Sequence, residues 1–118
     1  MDTIYAIVAS ECSSSYDGAL AVMTCVLNRC VSEAWVRFGG NNPYAQITAT
    51  GQFSYGIPKY ANNYKKYLNG NSPEHVKRAV DDALAGARNH KYTSFRTDSA
   101  KTRQTHPNGE EIGGNWYF

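Results

Sequence analysis

Apolar residues recur at helical spacing along most of the chain. Ile4, Ile7 and Val8 precede Glu11 by seven, four and three positions, so a short first helix ending at Glu11 carries the carboxyl group on its apolar face. Ser13-Ser14-Ser15 offers an N-cap, and Tyr16 to about Ser32 predicts a strong second helix. Its stripe is Leu20, Met23, Leu27 and Cys30, widened by Ala19, Val22, Val26 and Val31. Gly39-Gly40-Asn41-Asn42 reads as a loop, and Asn42-Pro43 as the cap and first position of a short helix to about Thr50, broken at Gly51. Gln52 to Gly56 reads as an irregular turn. Pro58 to Leu68 predicts a helix stopped by Asn69-Gly70-Asn71. Ser72-Pro73-Glu74 opens a last long helix, with Val76, Val80, Ala83, Leu84 and Ala87 facing inward and Asn89 at its end.

The tail changes pattern. Tyr92 to Arg96 and Ile112 to Phe118 have strand-like composition, with a polar loop from Thr97 to Glu111 between them. Two such strands can pair as a ribbon against the helices, and a loop of that length without structure of its own is often functional or mobile. The predicted fold class is α+β and mostly helical, with a small C-terminal β element. No repeat, low-complexity stretch or linker interrupts it.

Composition narrows the classes. The 118 residues suit one domain with one modest core, and 42% are apolar. A formal charge of +2 without a Lys/Arg cluster argues against a nucleic-acid partner; Lys65-Lys66 reads as a solvated helix surface. No apolar run approaches the roughly 18 residues of a membrane span, so no membrane insertion is expected. Met1-Asp2 leads straight into the first helix without a signal peptide. The expectation is therefore a cytoplasmic protein or a domain excised from a longer exported one. Nothing in the chain speaks for an oligomer, and a monomer is expected.

Cys12, Cys25 and Cys30 do not form a disulfide framework. Cys25 and Cys30 have poor geometry for a bridge on one helix, Cys12 and Cys25 could meet if the first two helices pack antiparallel, and buried inert thiols are the favoured reading. His75, His90 and His106 come late and scattered, so Cys12 has no evident base. No Cys or His spacing supports a metal, and no cofactor is expected. Nine Tyr against four Phe is an unusual balance that suits wet clefts and polar ligands. Tyr60, Tyr64 and Tyr67 would line one side of a helix, either as its packing face or as a sugar-binding wall.

Glu11 is the leading candidate for chemistry. A carboxyl group on an apolar face must find a partner or hold its proton, because desolvation disfavours the charged form. That is the state a general acid needs. The alternative is a helix-ending Glu that pairs with an Arg or caps the next helix. Were Arg29 that partner, the charged form would be favoured and the general-acid reading weakened. Hydrolysis of a glycoside usually needs two carboxyl groups. Asp17 falls in the first turn of a helix, where it meets the helix dipole favourably, and Asp98 lies in the tail loop, so neither stands out as a second.

Glu11, then Gly18-Ala19-Leu20-Ala21-Val22, then Val26-Leu27-Asn28-Arg29, resembles the opening signature of the SleB/CwlJ-type cell wall hydrolase family. Gln52-Phe53-Ser54 resembles its Gln-Phe-Ser element. Tyr92 to Phe95 and Ile112 to Phe118 resemble its closing elements, in the same order. The family's closing motif often has a His where this chain has Trp116, and the Thr97 to Glu111 loop has no counterpart.

The resemblance implies a lysozyme-like domain with a glycan cleft, secreted or associated with the cell wall or spore cortex. Its implied partner is peptidoglycan and its implied activity is cleavage of the MurNAc-β-1,4-GlcNAc bond, best known in cortex lysis at germination. Glu11 takes the catalytic position. A one-carboxylate lytic transglycosylase mechanism, yielding a 1,6-anhydro sugar, explains why no second acid stands out. Gln52 and Ser54 are candidates to bond sugar polar groups, Tyr55 and Tyr92 to stack on sugar faces, and Asn115 and Tyr117 to line the opposite wall. A packing or turn role stands beside each of these. Asn28 and Arg29 are expected to hold structure. The alternatives are a hydrolytic muramidase, an amidase of the same polymer, or a catalytically silent glycan-binding module.

Overall fold

The computed structural model describes residues 2–118. Its centre is α2 (Tyr16–Cys30), apolar on nearly every side and buried from Gly18 through Leu27. A helix without a polar face must be surrounded. α1 (Asp2–Glu11), α3 (Pro43–Thr48) and α4 (Glu74–Leu84) supply the surroundings, with α4 making the broadest contact. Local chemistry fixes the helix starts as the sequence indicates. Ser15 Oγ accepts from the Gly18 amide at 3.0 Å, and Asn42 Oδ1 accepts from Ala45 N at 3.1 Å with Pro43 as the first helical residue.

The chain is about 53% helical, with one three-stranded antiparallel sheet. Its strands are β1 (Phe95–Thr97), β2 (Glu110–Ile112) and β3 (Asn115–Tyr117), with β3 central. The register pairs Phe95 with Tyr117 on one side and Ile112 with Asn115 on the other.

Several expectations need correction. The segment 112–118 is not one strand. Gly113 and Gly114 take φ of +61° and +90°, so they make a two-residue hairpin turn between β2 and β3. The loop 97–111 is not structureless. Ser99 Oγ accepts from Thr102 N at 3.1 Å and caps a short helix, α5 (Ala100–Thr105). The first tail strand begins at Phe95 and not at Tyr92. Pro58 to Leu68 forms turns with a 3-10 helix at Asn63–Tyr67, because adjacent Asn62 and Asn63 favour turns over an α-helix. α4 stops at Leu84, two residues before Gly86 at φ +120°, and Leu84 is exposed.

One close approach seats the sheet on the helices. The hairpin turn lies against the start of α2, where a Cβ on Gly113 would stand 2.6 Å from Gly18 Cα. Cys12 Sγ donates to Gly113 O at 3.5 Å across the same contact. Below it, the Tyr117 ring stands 5.1 Å from Phe95 and 4.3 Å from His90. All three cysteines are free and buried. Burial pushes the Cys25 thiol up to about 12.

Candidate functional site

α1 ends at the rim of a cleft of about 440 Å³, and its last residue, Glu11, is half-buried in the wall. Ser10 and Glu11 come from α1. Gln52, Phe53 and Ser54 come from the segment entering a 3-10 helix at Ser54–Gly56. Ile57, Tyr60 and Asn63 follow, and Phe95 to Thr97 of β1 with Asn115 of β3 complete the lining. Glu11 is the single carboxylate among these residues.

Three hydrogen bonds hold the acid's surroundings. The Ser54 amide donates to Glu11 Oε1 at 2.8 Å. Ser10 Oγ donates to Ile7 O at 2.7 Å and meets Ser54 Oγ at 3.1 Å, tying the end of α1 to the 3-10 helix. With Oε1 engaged, Oε2 is the carboxyl oxygen left for other work.

Arg29 lines a neighbouring cavity and supports the cleft through Gln52. Its Nε donates to Thr93 O at 2.6 Å and its Nη1 to Gln52 Oε1 at 3.2 Å. The guanidinium lies 3.8 Å from the Trp35 ring centroid and 4.8 Å from that of Phe53, and burial lowers its pKa from the ordinary arginine value. Arg29 does not pair with Glu11: among the described residues the one ion pair is Arg103–Asp98. Because Gln52 Oε1 faces Arg29, its NH₂ group is the end left for a ligand. Asn28 is structural too, donating to His90 O at 3.3 Å and Tyr92 O at 2.9 Å.

Of the residues singled out from sequence, Glu11, Gln52, Ser54 and Asn115 meet at this cleft. Tyr55 and Tyr92 do not line it. Tyr55 packs on the core with its ring 5.1 Å from Tyr64, and Tyr92 stacks beside His90 while its amide donates to His90 Nδ1 at 3.0 Å. Tyr117 is not a wall residue. Its side chain is fully buried at the centre of the sheet, so a ligand cannot reach it without opening the core. The three tyrosines of the 60–67 segment also separate. Tyr60 lines the cleft, whereas Tyr64 and Tyr67 pack against the core.

Sequence reasoning missed Ser10, Asn63, Phe95 and Arg96. Ser10 adjoins Glu11 and needed only the turn geometry to be found. Phe95 and Arg96 reach the cleft through strand pairing that no local pattern encodes.

The remaining acids sit elsewhere. Asp17 is exposed on the first turn of α2. Asp98 accepts two bonds from Arg103, at 2.7 and 2.8 Å, which hold its carboxyl below the usual range. Trp116 donates through Nε1 to His106 O at 2.8 Å and secures the end of α5. Among the described residues no group of three or more His, Cys, Asp or Glu could hold a metal ion, and no helix is long and apolar enough to cross a membrane. In comparisons with protein-family models, curated proteins and solved structures, no match to the chain was found.

Proposed function

We propose that this chain is a peptidoglycan-cleaving lytic transglycosylase of the SleB/CwlJ type, a lysozyme-like domain whose cleft takes a glycan strand. The observation that carries the reading is the solitary half-buried Glu11, held through one oxygen in a cleft lined by hydroxyl, amide and aromatic groups. Ser10, Ser54, Asn63 and Asn115 offer hydrogen bonds for acetamido and hydroxyl groups, while Tyr60 and Phe95 offer faces for sugar rings.

In this mechanism the proton that Glu11 delivers is carried on Oε2, the oxygen that Ser54 does not hold. Glu11 gives that proton to the glycosidic oxygen as the bond to the muramic acid anomeric carbon breaks. The 6-hydroxyl of the same sugar then bonds to that carbon, and its proton returns to Glu11. The products are a 1,6-anhydromuramic acid end and a free 4-hydroxyl, with the acid regenerated and no water consumed. Ser54 N–H holds Oε1 throughout, when the carboxyl is transiently charged and the bond is strongest. A hydrolytic muramidase would need a second carboxylate near 5 to 10 Å from the first. The cleft lining contains none, so the substrate's own hydroxyl is the favoured nucleophile.

Glu11→Gln tests the assignment. The amide keeps an acceptor for Ser54 N–H but cannot cycle a proton. Turnover is expected to fall on the order of a thousandfold, with the thermal midpoint and strand binding close to wild type. A variant retaining substantial activity would remove Glu11 from the mechanism.

A further inference from the structure

Arg96 borders three cavities at once. It shares the Glu11 cleft with Gln52, Ile57 and Phe95, and these same residues also line a neighbouring cavity of about 350 Å³ that reaches His106 and Phe118. A third cavity, of about 260 Å³, is bordered by Arg96, Lys101 and His106. The three adjoin along shared residues and together mark a path from Glu11 past β1 to α5. Its charge is one-sided: Glu11 is the sole carboxylate along the three, while Arg96, Lys101 and His106 gather at the far end.

Arg96 and Lys101 are exposed, and neither makes an ion pair among the described residues. Arg103, on the same short helix as Lys101, is instead neutralised by Asp98. Arg29, in the second cavity, is spent on Thr93 O, Gln52 Oε1 and the Trp35 face. His106 lies flat on Phe118, with ring centroids 3.6 Å apart, and so forms a rigid border to the basic end. Neutral sugar rings have no use for two unpaired cations. Oxyanions do, because guanidinium and ammonium groups make charge-assisted bonds to them.

Resting on the glycan reading above, we infer that the Arg96–Lys101 end of this path is a subsite for an oxyanion carried on the strand. The carboxylates of the peptide attached to muramic acid are one source, and phosphate of a wall polymer attached to the strand is the other. Either places its charge beside the sugar, where a path leading away from Glu11 would receive it. The subsite selects which strands bind; it does not take part in bond cleavage.

The test is binding, measured on Glu11→Gln protein so that strands stay whole. Three phosphate-defined preparations are compared at low salt: peptide-bearing strands without phosphate polymer, the same strands stripped of peptide with the exposed lactyl carboxylates converted to amides, and such stripped and amidated strands still carrying the phosphate polymer. An oxyanion-bearing strand is expected to bind about tenfold more tightly than the bare one, the scale of one charge-assisted pair. Adding Lys101→Gln, at a residue outside the Glu11 cleft, should weaken that preference and leave bare-strand binding unchanged, adding Arg96→Gln as well should erase the preference, and the preferred strand identifies the oxyanion. Both side chains are exposed, and an unchanged thermal midpoint verifies folding. Equal affinity for all three strands, or a preference that survives the two substitutions, overturns the subsite. If wild-type protein still cuts bare strands in that case, the glycan reading stands without it. Failure to bind any strand overturns both.

Discussion

The backbone amide of Ser54 donates to Oε1 of Glu11 at 2.8 Å, joining two residues 43 positions apart. The donor is main chain, so the side chain at 54 and the hydrogen bond to Glu11 can be tested separately. Phe53 has extended backbone, φ −114° and ψ 171°, the conformation a residue before proline adopts. Ser54 also opens its 3-10 helix, a position where proline is tolerated. Ser54→Pro should therefore remove the N–H with little disturbance. A hydrogen bond to a charged group contributes about 1.5–3 kcal/mol, so turnover should drop roughly ten- to a hundredfold. Ser54→Ala removes the Ser10 contact but keeps the N–H, and should cost less than about threefold by the same scale. Steady-state rates on purified strands, with thermal midpoints as control, separate the two. Equal losses would show that the hydroxyl, and not the amide, matters.

Gly18 gives a test of the seat between sheet and helices. It lies inside α2, where alanine would be favoured over glycine by about 1 kcal/mol on propensity alone. Its added Cβ would meet Cys12 Sγ at 2.4 Å and Gly113 Cα at 3.3 Å. Overpacking of that kind costs about 1–3 kcal/mol, so the clash wins. Gly18→Ala is expected to lower the denaturant midpoint, and a stabilised variant would contradict the close approach.

His90 makes stability depend on pH. Burial is the main cause that lowers its pKa, opposed by the Ala21 carbonyl and by Glu110. Its Nε2 bonds Ala21 O at 2.8 Å while Nδ1 accepts from Tyr92 N at 3.0 Å, an arrangement that requires the neutral ring. The unfolded state therefore binds the proton more readily. The His90 contribution is present in full above about pH 6.5, the ordinary histidine value, and is lost as pH falls from there through the lowered folded value. Urea midpoints should decline between pH 7.5 and pH 5 more steeply in wild type than in His90→Gln. Identical slopes would refute the neutral-ring assignment.

The helical half of the fold was legible because its determinants are local. Ser15, Asn42 and Pro43 cap where their chemistry requires, and the apolar stripe of α2 is continuous. Arg29 is expected from sequence to hold structure, and it ties α2 to the backbone at Thr93 O. The tail was read less well, since Gly113-Gly114 is a turn signal only once the residues on both sides are recognised as strands. Tyr117 shows the same limit from another side. Alternation cannot say which face of a three-residue strand meets the core, and Tyr117 takes the inner one. At the cleft, the acid and its Gln52–Ser54 neighbours were visible as a pattern, while the Arg96 wall depends on β1 pairing with a strand twenty residues away.

The central claim is that one proton donor suffices because the sugar supplies its own nucleophile. Mass spectrometry of purified peptidoglycan strands after digestion reads this directly. Muropeptides ending in 1,6-anhydromuramic acid, 18 Da lighter than the reducing ends that water would leave, are the expected product. Reducing muramic acid ends, or no new ends at all, would contradict it.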